Sequence, residues 1–167
     1  MADKYLYNNA GQVTERELTV SSAGAGDAGK GVALDGTGKL DNSTMPVGVG
    51  ADTKALTATE ALASGDFVNV YASTGAKCRK ADATTNKPAH GFVLAAVDQD
   101  ATATVYFEGT NTQLTGLTAG SPYFLSTSAG GVTVTAPSAS GNIVQRVGVA
   151  VSDTEISFEP GDAVLLA

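Results

Sequence analysis

GLTAGSPYFLSTSAGGVTVTAPSASGNIVQRVGVAVSDTEISF, residues 116–158, is the stretch from which the fold is read. Four runs stand out in it, PYFLST, GVTVT, NIVQRVGVAVS and TEISF, separated by clusters of Gly, Pro, Ser and Asn. Val132, Thr133, Val134 and Thr135 alternate apolar with β-branched polar residues, the period of a half-buried strand. Tyr123, Phe124 and Leu125 lie between Gly120-Ser121-Pro122 and Ala129-Gly130-Gly131, and the second of these clusters suits a tight hairpin. The run from Ile143 to Val151 is longer and more continuously apolar, which predicts a central strand buried on both faces. Nothing in the stretch has the look of reactive chemistry. It predicts a sheet.

Working outward, the composition agrees. The chain has 167 residues, room for one domain with a real core or for a domain plus an arm. Hydrophobic residues make up 43% of it, much of this Ala and Val, with no Trp, and charged residues only 16%. Twenty glycines and abundant Thr and Ser suit short strands, tight turns and a hydroxyl-rich solvent face. The formal net charge is −7. Lys77, Arg79 and Lys80 form the densest basic group, and charges on a solvated strand edge explain them without a nucleic-acid partner. Cys78 is the single cysteine, so no intrachain disulfide forms. With no basic-then-apolar leader and no apolar run approaching eighteen residues, neither export by a cleaved signal nor a membrane partner is expected.

The chain falls into two parts. Residues 1–50 offer short strand-like runs at Lys4-Tyr5-Leu6-Tyr7 and residues 15–20 (ERELTV), followed by a stretch dominated by small and turn residues. Such a stretch buries too little apolar surface to fold independently, which predicts an extended Gly-rich arm. Its large residues, Val32, Leu34, Leu40, Met45, Val47 and Val49, are spaced like anchors along such an arm. Residues 51–167 are expected to form the body, a compact antiparallel β-barrel or sandwich. In it, residues 53–67 carry a Thr57-x-x-Glu60 spacing that would cap a helix, but the segment is too short and reads as a strand and turn. Strands follow at 67–71, 76–80, 91–97 and 103–108, with residues 81–88 a loop. Val164, Leu165 and Leu166 predict a docked tail.

Several motifs invite a chemical reading. Gly24-Ala-Gly-Asp-Ala-Gly29-Lys30-Gly31 matches the start of a phosphate-binding loop, but Gly31 stands where Ser or Thr must hold magnesium, and no helical period follows. Asp35, Thr37, Lys39 and Asp41 loosely resemble a calcium loop, with Lys39 in place of an acceptor and no closing Glu. His90, the one histidine, has no motif pairing it with Cys78 or a serine. Asp66, Asp98, Glu108 and Glu159 sit at predicted strand ends, where exposed acids are ordinary, so no glycosidase pair stands out. No catalytic residue, metal ligand, cofactor or small-molecule substrate is expected, and the chain reads as a non-enzyme.

With the strands placed, the run LTATEALASGDFVNVYASTGAKCRKADATTNKPAHGFVLAAV and the later GLTAGSPYFLSTSAGGVTVTAPSASGNIVQRVGVAVSDTEISFEP resemble the decoration, or cement, proteins of tailed-bacteriophage heads. GKGVALDGTGKLDNSTMPVGVG is similar to segments that precede such domains in phage virion proteins. The similarity covers roughly residues 30–160 and rests on turn and core residues: Gly116-Leu117-Thr118-x-Gly120, Tyr123-Phe124-Leu125 and Gln145-x-x-Gly148-x-Ala150. The resemblance implies a virion protein made in the bacterial cytoplasm and carried on the outer capsid surface. It would be a homotrimer that bridges neighbouring major capsid subunits. On that implication Tyr5, Leu6, Tyr7, Leu34, Leu40 and Met45 are the capsid-binding residues of the arm. The alternative is a tail-fibre or host-surface-binding β-module, against which the low aromatic content weighs.

Overall fold

The computed structural model describes residues 3–45 and 51–167, and Val47 and Val49 lie outside the described residues. The chain divides into two compact units, Met1–Gly50 and Ala51–Ala167. The described residues form fourteen strands and three short 3-10 turns, with no α-helix: the protein is all-β.

In the first unit β1 (Lys4–Asn9) and β2 (Gln12–Glu17) form an antiparallel hairpin. Its two turn residues, Ala10 and Gly11, both take positive φ, 52° and 93°, the backbone twist that a two-residue hairpin needs. The Asn8 side chain accepts the Gly11 N–H at 2.8 Å and locks the turn. After β2, Thr19 pairs in parallel with Val32, donating to Gly31 and accepting from Ala33, each at 2.9 Å. The intervening residues make a 3-10 turn at Ala25–Asp27, and a second one follows at Asn42–Thr44. The described part of residues 1–50 is thus a hairpin followed by hydrogen-bonded turns, and an extended arm is not shown.

In the second unit β3 (Thr53–Ala58), β4 (Phe67–Ser73), β5 (Gly75–Lys80), β6 (Gly91–Phe92) and β7 (Thr102–Tyr106) close a barrel in the order β3-β5-β4-β6-β7. Every pair is antiparallel except β3 with β5. Next come β8 (Gly109–Asn111), β9 (Pro122–Leu125), β10 (Val132–Thr133), β11 (Ile143–Val144), β12 (Arg146–Ala150), β13 (Ile156–Phe158) and β14 (Val164–Leu165). They supply a five-stranded sheet, β10-β9-β12-β13-β8, and a separate β11–β14 pair.

Strand alternation makes two cores from the barrel wall. Val68 points into the barrel with Leu56, Cys78, Val93, Ala103 and Val105. Its neighbour Phe67 points the other way, as Phe92 does beside Val93, into a second core with Leu125, Ile143, Val147, Ile156 and Phe158 of the later strands. Phe67, Phe92 and Phe158 meet at centroid distances of 5.6–6.2 Å, tilted or edge-on, and Tyr106 stacks on Phe92 at 5.5 Å. Such aromatic pairs add about 0.5–1.5 kcal/mol each beyond the area they bury. Turn 129–131 joins the layers: Phe67 donates to the Gly130 carbonyl at 2.9 Å, and Gly130 donates to Ala81 at 2.7 Å.

Three strand expectations need correction. The run 143–151 splits at Gln145 into β11 and β12, and Arg146 faces solvent, so it is central but not buried on both faces. The run 91–97 is paired as strand only at Gly91–Phe92, because residues 93–97 leave β7 for residues 62–66. The tail pairs its backbone with β11, yet Val164 and Leu165 remain 58% and 59% exposed.

Candidate functional site

The six arm residues named from the sequence all lie in the first unit, where the hairpin register sorts those on β1. Tyr5 pairs with Arg16 and Tyr7 with Thr14, so these four share one face. That face turns to the following turn: the Tyr5 hydroxyl and Arg16 Nη1 both donate to the Gly29 carbonyl, at 3.2 and 3.0 Å. Arg16 also lies 5.0 Å over the Tyr7 ring. A Cβ at Gly31 would stand 2.7 Å from the end of the Leu18 side chain, which would have to shift, and in ordinary contact with Tyr5 at 3.5 Å. Leu6 is on the opposite face, 74% exposed, diagonal to Val13 at 69%. The Lys4–Glu15 ion pair, 2.8 Å, borders them.

Leu34, Leu40 and Met45 are also exposed, Leu34 at 57%. No described residue of the first unit is buried. Turn chemistry holds it together instead. Asp35 accepts from the Thr37 N–H and hydroxyl and from the Lys39 N–H, and Asp41 caps the second 3-10 turn through Ser43. Backbone and hydroxyl donors therefore pull the Asp35 carboxyl below the usual aspartate range, and the Ser43 hydroxyl does the same to Asp41. Asp27, depressed by the Lys30 ammonium and the Ala23 N–H, closes the glycine loop 24–31 on itself. Lys30 is committed to Asp27, and several loop N–H groups are spent on internal bonds.

Apart from Asp98, which is exposed, the remaining candidates also have structural partners. His90 Nδ1 accepts the Val70 N–H at 3.0 Å, tying the loop to β4. Cys78 is fully buried in the barrel, and burial raises its thiol pKa, which leaves it inert. Asp66 holds Lys80 at 3.2 Å and the Ala63 N–H, Glu159 faces Arg146 at 3.6 Å, and Glu108 accepts from the Asp52 N–H. Among the described residues no group of three His, Cys, Asp or Glu side chains could hold a metal ion, and no helix is long and apolar enough to cross a membrane.

Sequence reasoning passed over two features. Val13 joins Leu6 on the open hairpin face, a neighbour that strand alternation across a two-residue turn would have found. A depression of about 280 Å³, lined by Leu94, Ala95, Ala96, Val97, Thr102, Thr104 and Tyr106, opens where residues 93–97 leave β7. No protein family matches the chain, and neither a curated protein nor a solved structure matches it.

Proposed function

We propose that the chain is a structural virion protein that docks on the outer surface of a tailed-phage capsid and stabilises it by bridging major capsid subunits. The observation that carries this reading is the separation of roles between the units. The body buries most of its large apolar side chains in two cores, leaving Val134, Val151, Val164 and Leu165 exposed, whereas the first unit has no core of its own and leaves Leu6, Val13, Leu34, Leu40 and Met45 on the surface. Surface of that kind is suited to burial against another protein. The sequence resemblance supplies the partner, the major capsid protein, and the homotrimeric state.

Each half-exposed leucine gains roughly 1 kcal/mol on docking, about half the value of burying a whole leucine side chain. One such unit binds weakly. Three linked in a trimer bind far more tightly, because the second and third contacts form at a high effective concentration. The test is to pellet full-length protein with empty, undecorated heads and count bound copies. Saturable binding at on the order of hundreds of copies per head, with heads more heat-resistant, is the expected result. Leu34→Ser combined with Leu40→Ser is expected to weaken binding at least tenfold without changing the melting temperature of the body. Absence of binding, with the protein found at the tail of intact virions, would replace this reading with the fibre module.

A further inference from the structure

The barrel is closed between β6 and β7 by one residue pair, Phe92 with Tyr106. Beyond it the two chains part for an identifiable reason. Residues 93–97 pair with residues 62–66: Gly65 donates to Val93 at 2.9 Å, Val93 to Asp66 at 3.0 Å, and Leu62 and Val97 exchange bonds of 2.8 and 2.9 Å. The Ser64 hydroxyl adds a bond to the Leu94 carbonyl at 2.8 Å. β7 keeps its pairing with β3 on the other side, in a register fixed by Phe107 donating to Asp52 and Ala58 donating to Ala101. In that register Ala103 and Val105 spend their main-chain groups on β3, while Thr102, Thr104 and Tyr106 turn theirs the other way. Tyr106 finds Phe92. Thr102 and Thr104 have no partner there among the described residues.

Those two residues border the 280 Å³ depression. Among the described residues their two N–H and two C=O groups have no main-chain partner on this side, which makes them an edge ready to receive a strand. The slot is narrow in its demands. Ala95, Ala96, Thr102 and Thr104 are small and exposed, which lets a backbone come close, and no lining residue is charged. At the turn end stand Asp98 and Asp100, both exposed. The volume lies just below that of ligand pockets, about 300–1,000 Å³, and suits a few residues of extended chain.

We propose that this slot is a β-augmentation site for an extended peptide segment of a partner protein. The segment is uncharged over the residues that pair with Thr102 and Thr104, and it carries a Lys or Arg where it passes Asp98 and Asp100. The site is built from second-unit residues alone and does not depend on the capsid reading.

The test titrates full-length, isotope-labelled protein with a synthetic peptide, acetyl-Lys-Thr-Val-Thr-Val-Thr-amide, followed by amide chemical shifts. Saturable shifts centred on Thr102, Thr104, Ala95 and Ala96 are expected. Methylating the peptide's alternate amide nitrogens on the pairing edge should abolish them, and Asp98→Asn with Asp100→Asn should weaken binding about three- to tenfold. Thr104→Pro removes an N–H that the barrel itself does not use and should also abolish binding. Ala96→Arg, which fills the slot without touching the strand, repeats that test if the proline variant fails to fold. Shifts that are absent, or that ignore amide methylation and both variants, would overturn the proposal. So would an oligomer of the free protein that Ala96→Arg dissociates, since a second copy would then fill the slot.

Discussion

Gln145 offers a sharp test of how the body is held together. It is buried between β11 and β12, and its side-chain amide acts as one more strand. Oε1 accepts the Ala89 N–H at 2.7 Å, and Nε2 donates to the Ala89 carbonyl at 3.0 Å and to the Gly161 carbonyl at 3.2 Å. Ala89 is itself buried, and neither of its main-chain groups has another partner among the described residues. Gln145→Leu preserves the volume and strands both. Each buried group left unpaired costs about 1–3 kcal/mol, so the variant should lose about 4 kcal/mol. The exposed Gly161 carbonyl recovers its bond from water and adds little. For a body of this size the unfolding entropy near the melting temperature is roughly 0.25 kcal/mol/K, so the midpoint should fall by about 16 °C.

Thermal unfolding followed by circular dichroism measures the shift, and hydrogen exchange at the Ala89 amide measures the bond. Gln145→Glu sharpens the reasoning. Its carboxyl still accepts from Ala89 but faces two carbonyls, an arrangement that favours the protonated acid and raises its folded pKa. Stability linked to a raised pKa is fully present below the unfolded value, near 4.3 for Glu, and is lost as pH rises through the folded value. The Glu variant should therefore approach the wild type in acid and diverge from it at neutral pH. A Leu variant melting within about 2 °C of the wild type, with Ala89 still protected, would refute the claim that this amide pairing holds the two layers.

Four further outcomes follow. Gly130 and Gly120 share a φ of 79°, but a Cβ at Gly130 would stand 2.5 Å from Asp66 Oδ1 whereas Gly120 has open space; in denaturant titrations Gly120→Ala should cost about 1 kcal/mol and Gly130→Ala about 2–4 kcal/mol. Ala10 occupies a left-handed turn position at φ 52°, so Ala10→Asn should stabilise the hairpin by about 0.5–1 kcal/mol, read as slower amide exchange in β1 and β2. Asp27, Asp35 and Asp41 all have depressed folded pKa values, so the support they give is present above the ordinary aspartate value near 3.8 and is lost as pH falls through the folded values; limited acid proteolysis below that pH should cut residues 24–45 before the body. Cys78 should react with a thiol reagent only as fast as the barrel opens, and rapid labelling of native protein would contradict its burial.

Much of the body is legible in the sequence because its pattern is local. Apolar alternation places β4, β7, β9 and β12, and the neighbours Phe67 and Val68 announce two faces that are both buried. What stays hidden depends on partners far away in the chain. Residues 91–97 read as one strand, and only the competing pull of residues 62–66 shows why the strand ends at Phe92. Gln145 reads as an interruption in an apolar run, because its partner Ala89 is 56 residues distant. In the first unit the signal lies in turn chemistry. Asp35-x-Thr37 and Asp41-x-Ser43 are side-chain-to-backbone turn sequences, and they build order where a count of large apolar residues predicts only an extended arm.

The two units are thus stable for different reasons, and the difference bears on function. The body has two apolar cores and no buried side-chain polar atom without a partner among the described residues, so most of its stabilisation lies in buried contacts. The first unit rests on hairpin bonds, aspartate turns and exposed ion pairs, each worth little alone. Elements of low local stability are the ones that rearrange at small cost when a partner covers them. Leu6, Val13, Leu34 and Leu40 are exposed on that unit, where burying them adds stabilisation that its own packing does not supply. The body is thus held by its two cores and the first unit by its turns, so the first unit is the part whose stability would change most if its apolar surface were covered.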